Sequence, residues 1–237
     1  MKIWKTLGCL VLLTVIICGC VVLGQGNKVA AKEETDGNAP PTNDTGESTD
    51  GTALDAPAAE GTVTVTKTYS EGLAFRSNGD GTCAVAGLGN CTAACVLIPP
   101  KSPNGDTVTE ILPYAFADTI VGAIELPGSI TTLTAASFAG CERLAYVRVA
   151  ADNTAFLEYD GVLYSAGGEV LLYCPSGRAS REVHLHPALS RIAAGAFADC
   201  TVLSAVHFPG STSRWHALIV GDGNEVLYSA GLKFNSN

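Results

Sequence analysis

Basic residues are few in this sequence and nowhere gathered: 14 Lys and Arg stand against 23 Asp and Glu, a net charge of −9 at pH 7. Neutralising the phosphates of a nucleic acid takes a basic patch, so nucleic acid is excluded as a partner class. Charge of either sign is scarce, at 16% of residues, and there is a single Met. The short signatures of catalysis are missing as well. No Gly-x-Ser-x-Gly elbow presents a serine nucleophile. Gly221-Asp-Gly-Asn is a tight turn without the Lys and the strand-to-helix setting of a phosphate loop. Gly79-Asp-Gly reads as a hairpin turn, since a calcium loop needs further acidic ligands. The adjacent carboxylates Glu33 and Glu34 stand in a segment with nothing to build a site from. No catalytic residue, metal or cofactor is assigned, and an enzyme is the least favoured class.

What the chain has is glycine, 26 residues of it, in a sequence that is 47% hydrophobic. A chain of 237 residues can bury a sizeable core. Glycine-rich, charge-poor sequence with short apolar runs favours many turns and short strands over long helices. Residues 1–25 form a signal or membrane-anchor segment. Lys2 and Lys5 precede an uncharged run from Leu7 to Gly24, at the lower limit for a membrane-spanning helix. Those lysines would hold their end in the cytoplasm. Ile17-Cys-Gly-Cys20 also resembles a bacterial lipobox, which makes Cys20 a lipidation candidate. A transmembrane anchor, a lipid anchor and plain secretion stay open. All three place the remainder outside the cytoplasm, and the first two attach it to the membrane through this segment.

Residues 26–61 form a disordered tether. They contain no aromatic side chain and almost nothing to bury, so they cannot offset the entropy of ordering. Such a chain has a reach of roughly 30–35 Å, enough to lift a domain off a membrane surface. Residues 62–107 form an N-terminal β cap. Thr62-Val-Thr-Val-Thr alternates as a strand does, and Ser77-Asn-Gly-Asp-Gly81 is a strong turn between two further strands.

From residue 108 to 209 one frame recurs. Ile192, Phe197, Cys200, Leu203, Val206 and Phe208 set it, with Pro209 closing the run. Leu133, Phe138, Cys141, Leu144, Val147 and Val149 repeat it, and Ile111, Phe116, Ile124 and Leu126 repeat it one residue shorter. This spacing fits neither a steady helix nor a strand. It describes one turn of a coil, which must stack on its neighbours to bury its apolar face. Residues 151–178 break the period: Phe156 to Ser165 and Val170 to Pro175 read as a β-hairpin around Gly167-Gly168. Residues 210–237 form the C-terminal cap, with Trp215 large enough to cover much of the open end.

Ile-x-x-x-Ala-Phe-x-x-Cys-x-x-Leu-x-x-Val-x-Phe-Pro, as it stands in residues 192–209, closely resembles the leucine-rich repeat of BspA-like surface proteins. Asn153-x-x-Phe-x-x-x-Asp-Gly-Val-Leu-Tyr resembles an insertion common among them, and the resemblance runs from about Ser70 to Phe234. It implies a right-handed, β-rich leucine-rich-repeat solenoid with one short parallel strand per repeat and an irregular or short-helical convex side. It also implies an extracellular binder of a protein or glycan ligand, with a role in adhesion. The competing class is a structural cell-surface module with no high-affinity ligand.

In each short strand the outer residues are apolar and the middle one points to solvent. Glu125, Arg148, Tyr173, His184 and His207 should therefore form one exposed ladder, the candidate ligand surface. His184 and His207 hold the same repeat position and could sit on adjacent strands about 4.8 Å apart. Two imidazoles do not make a zinc site, which usually needs a third protein ligand, and none is evident. Among the nine cysteines, Cys141 and Cys200 hold equivalent positions and read as packed free thiols. Cys83 and Cys91 are the disulfide candidate, since Gly87-Leu-Gly-Asn90 could turn one strand back on the other.

Overall fold

The computed structural model describes residues 67–234 and two short N-terminal strands, β1 (Ile16–Ile17) and β2 (Cys20–Val21), which pair antiparallel. The chain divides into two compact units, Met1–Lys67 and Thr68–Asn237. Apart from those two strands, in which the lipidation candidate Cys20 falls, the expected anchor, the tether and the strand at 62–66 lie outside the described residues. Among those described, no helix is long and apolar enough to cross a membrane.

The second unit opens with a hairpin, β3 (Ala74–Ser77) and β4 (Thr82–Gly87), around the expected turn. There the Asp80 carboxylate accepts from the backbone and the hydroxyl of Thr82, at 3.0 and 2.6 Å. The other edge of β4 takes β6 (Thr107–Ile111) in parallel. With both edges filled, the chain after Asn90 cannot return to β4. It leaves instead for β5 (Cys95–Leu97). This corrects the disulfide expectation: Cys83 and Cys91 are free, separately buried thiols, as are Cys141, Cys174 and Cys200.

From β5 the fold winds as a coil between two walls. One wall holds β5, β7 (Ala123–Leu126) and β8 (Tyr146–Val149) in parallel. After the insertion it continues as β12 (Glu182–His184), β14 (Ala205–Phe208) and β16 (Gly231–Phe234), also parallel. The opposite wall starts with β4 and β6, extended by a bridge from Glu110 to Thr132. It resumes as β11 (Val170–Tyr173), β13 (Arg191–Ile192) and β15 (Ile219–Val220). Between the walls run turn segments such as the 3₁₀ turn Ala135–Phe138, each dropping an aromatic or apolar side chain into the centre.

The insertion is a three-stranded meander. The sequence run from Phe156 to Ser165 divides into β9 (Phe156–Tyr159) and β10 (Val162–Ser165), which pair around Asp160-Gly161. Both turn residues have positive φ, 51° and 71°. That is the requirement of a type I′ turn and the reason for an Asp-Gly pair here. Beyond the Gly167-Gly168 turn, β11 pairs antiparallel with β10.

Side chains of β10 and β11 divide between two cores, by alternation on β10 and on β11 by a register shift that leaves Leu172 as an extra residue between Leu171 and Tyr173. Leu163 and Tyr173 enter the first, with Phe116, Phe138, Ile124 and Val147. Val162, Tyr164 and Leu171 enter the second, with Phe197, Ile192, Val206 and Phe208. Phe116 and Phe138 stack at 6.2 Å between ring centroids, and Tyr173 continues the column at 4.8 Å from Phe138. Tyr173 is therefore 2% exposed, and its place on the solvent ladder is corrected. Its strand belongs to the wall shared by the two cores, and the irregularity at Leu172 turns Tyr173 to the core opposite the one that Leu171 enters.

Two asparagines tie coil to coil through the backbone. Asn153 donates to the carbonyls of Pro127 and Ile130 at 2.8 and 2.9 Å and accepts from the amides of Ala155 and Phe156. Asn224, fully buried, donates to Ala193 and Gly221 and accepts from the Phe197 amide. Trp215, on α1 (Thr212–His216), packs edge-on against Phe208 at 5.3 Å, partly buried against the second core. In the last coil Ile219 is 63% and Leu232 36% exposed, on either side in sequence of the short α2 (Val226–Ser229).

The Tyr173 hydroxyl is buried with no hydrogen-bond partner among the described residues. Tyr173→Phe removes an unsatisfied group and should leave stability unchanged or raise it by about 1 kcal/mol. Phe138→Ala, at the centre of the same column, should cost about 3–5 kcal/mol. Urea unfolding monitored by circular dichroism distinguishes the two outcomes.

Candidate functional site

The solvent face of the first wall carries the remaining predicted residues, in two ladders rather than one. Glu125 on β7 stands in register with Leu97 on β5 and Arg148 on β8. Two residues before Arg148, on the same strand face, Tyr146 is 52% exposed. Across from this group, Glu158 on β9 has its carboxyl pushed above the ordinary carboxylate range by burial, with Arg148 working against that.

The second ladder lies on the separate sheet β12-β14-β16. His184 and His207 pair in register as expected, and their rings stack at 4.2 Å between centroids and 25° between planes. Lys233 on β16 continues the row. Two carboxylates bracket the imidazoles. Glu182, two residues before His184, lies 2.7 Å from His207 Nε2, and Lys233 donates to it at 3.2 and 3.4 Å. Those partners, His207 first and Lys233 second, hold the Glu182 carboxyl below its ordinary value. Asp160 reaches the ladder from the meander's turn. Its Oδ2 accepts from the His184 amide at 2.8 Å and lies 3.3 Å from His184 Nδ1. Arg178 donates to the Asp160 carbonyl at 2.9 Å and lies 3.5 Å from its carboxylate.

The turn thus terminates the free edge of β12, and no strand pairing joins β8 to β12. Two stacked imidazoles with two flanking carboxylates would suit a metal in composition. Each carboxylate is instead engaged with its own cation or amide, and among the described residues no group of three or more His, Cys, Asp or Glu could hold an ion.

Sequence reasoning missed Tyr146, Glu158, Asp160, Glu182 and Lys233. Three of them left a signal. Tyr146 and Glu182 lie two residues from the ladder positions and so share their strand face. Leu232-Lys-Phe234 has the same form as Val206-His-Phe208, which placed Lys233 in line.

Residues 98–159 match the model of the BspA type leucine rich repeat region, in six copies. No curated protein matches the chain. Among solved structures, the pneumococcal vaccine antigen PcpA is 26% identical over 43% of this chain and 25% of its own, with a TM-score of 0.40. A leucine-rich repeat protein from Eubacterium ventriosum is 18% identical over 55% of this chain and 40% of its own, with a TM-score of 0.41. A leucine rich cell surface protein from Faecalibacterium prausnitzii is 21% identical over 60% of this chain and 41% of its own, with a TM-score of 0.39. The matched part is thus between a quarter and about two-fifths of the length of these proteins. The solenoid assignment rests on the chain's own strand pairing and repeat match.

The lowered Glu182 carboxyl sets a pH dependence. A folded-state value below the ordinary 4.5 contributes stability that is present above 4.5 and is lost as pH falls through the lowered value. Melting temperature should drop on acidification from about pH 5 to about pH 3, and the drop should be smaller in Glu182→Gln. Added salt should narrow the difference between the two proteins, because the pairs are exposed. A melting series over pH at two salt concentrations checks both.

Proposed function

We propose that this chain, which carries BspA-type leucine-rich repeats, is a binding protein of the cell surface. It holds an extracellular protein or glycan ligand on the solvent face of the β5-β7-β8 and β12-β14-β16 wall, in adhesion to host or neighbouring cells. The observation that carries this reading is the exposed pair Arg148 and Tyr146, with the half-buried Glu125 in register beside Arg148, fixed on parallel strands whose inner residues are buried. Rigid backbone beneath exposed Arg and Tyr lowers the ordering cost of an interface and supplies the side chains that dominate binding energy. The N-terminal segment anchors the domain at the membrane, by spanning it or by lipid on Cys20, and residues 26–61 set its distance from the membrane. Binding, without catalysis, is the activity.

One observation favours the structural alternative: the second ladder satisfies its charges internally, through Glu182 with His207 and Lys233 and through Asp160 with Arg178. The full chain applied to arrays of matrix proteins and glycans separates the readings. Binding should appear and should weaken by about tenfold or more in Arg148→Ala and in Tyr146→Ala, the loss typical of a contact residue, with circular dichroism unchanged. No binding on any array would leave the structural module as the reading.

A further inference from the structure

Where the first wall gives way to the inserted meander lies a cleft of about 490 Å³. That volume is within the roughly 300–1,000 Å³ of small-ligand sites. One side is Val149 at the end of β8; the other is Phe156, Leu157 and Glu158 on β9. Residues 150–155 join the two strands and close the cleft at one end, where Ala150 and Ala151 line it.

Both sides are open strand edges. β8 ends the sheet β5-β7-β8, and β9 ends the sheet that runs from β15 through β13, β11 and β10. The Ala150 amide donates to the Leu126 carbonyl at 3.0 Å, so its main chain faces β7. Successive residues of a strand alternate in direction, so the amide and carbonyl of Val149 face the open edge. On β9 the Ala155 carbonyl accepts from the Ala166 amide at 3.0 Å, and Tyr159 pairs with Val162 across the two-residue turn. The same alternation turns the Phe156 carbonyl and both main-chain groups of Glu158 away from β10. None of these outward groups has a main-chain partner among the described residues. The site is also fixed in place. Phe156 is 8% exposed, and its amide donates to Asn153 Oδ1 at 3.0 Å. Asn153 Nδ2 donates in turn to the Pro127 and Ile130 carbonyls, which ties the closing turn to the coil beneath.

We propose that this cleft binds the end of a neutral glycan chain through its main-chain groups, with the Glu158 carboxylate accepting from a sugar hydroxyl. The inference rests on the binding reading above and narrows its ligand to one class. A hydroxyl both donates and accepts, so one sugar ring can satisfy amides and carbonyls on either side. An extended peptide pairs along the length of an edge, and to lie between two edges it needs them side by side. These two converge on one turn. Ala150 and Ala151 present only methyl groups, which leave room beside the C–H bonds of a ring. Glu158 is the only ionisable residue lining the cleft, on a chain of net charge −9, so an acidic sugar is repelled.

The experiment applies the full chain to an array of neutral glycans, sialylated and sulfated glycans, and matrix proteins, then titrates the bound glycans in solution by calorimetry. Neutral glycans should bind. Kd should rise about tenfold or more in Ala151→Trp, which fills the cleft, and about tenfold in Glu158→Gln, which removes a charged acceptor. Circular dichroism checks folding, and Glu158→Gln, at an exposed strand position, decides the matter if Ala151→Trp does not fold. Binding to matrix proteins alone would overturn this inference and leave the binding reading standing, whereas silence on every spot would overturn both. Glycan binding unchanged in both variants would place the sugar outside the cleft and overturn the site. Preference for sialylated or sulfated glycans would overturn the neutral class.

Discussion

The structure turns on a pair of strands that no longer has a solvent side. In an ordinary coil each strand hides alternate residues and exposes the rest. β10 and β11 lie where the repeat is interrupted, and they divide their side chains between two cores. Leu163 stands opposite Tyr173 in register, and both enter one cluster; Tyr164 stands opposite Leu171, and both enter the other. Each half of the solenoid would otherwise end in an open apolar face, since a coil without a neighbour leaves its interior in water. The shared strands close both halves at once, and burying large side chains on both sides is the largest favourable contribution that so few residues can make.

That closure also shapes the surface. To deliver two buried faces, the meander must reverse at Asp160-Gly161, and the reversal sets a carboxylate against the edge of β12. Asp160 there satisfies a backbone donor that no strand covers, which blunts an edge that could otherwise pair with another chain. It also anchors Arg178, whose other nitrogen faces Cys174. One insertion thus terminates a sheet, splits the expected single ladder into two, and gives one buried cysteine an environment its repeat equivalent lacks.

The coil itself was legible in the sequence, because the spacing of Phe116, Phe138 and Phe197 relative to Leu126, Val149 and Phe208 repeats. The middle-residue rule also placed Glu125, Arg148, His184 and His207 in register on solvent strands. It failed at Tyr173, where Val170-Leu-Leu-Tyr has the same letters but two buried faces. Periodicity reports which residues are alike, not how many sides of a strand are covered. The Asp160-Gly161 turn was present as the strongest short-range hairpin signal, yet the Gly167-Gly168 pair nearby drew the turn assignment alone. The Cys83–Cys91 bridge failed for a non-local reason: the second edge of β4 is taken by β6, and pairing between strands so far apart leaves no mark in the turn residues.

The two ladders differ in what a ligand would gain from them. In the second, an incoming group must compete with pairs already formed, Glu182 with His207 and Lys233, and Asp160 with Arg178. Ion pairs at or near the surface contribute little, so breaking them costs little, but replacing them also gains little. Around Arg148 the balance is different. Tyr146 offers an exposed ring whose burial is favourable without breaking a bond, beside the guanidinium of Arg148. A neutral, ring-bearing or sugar-like surface can cover that aromatic while Arg148 directs its polar groups. Selective contact on this wall is therefore expected to centre on β7 and β8, and the imidazole ladder to hold the coils together from outside.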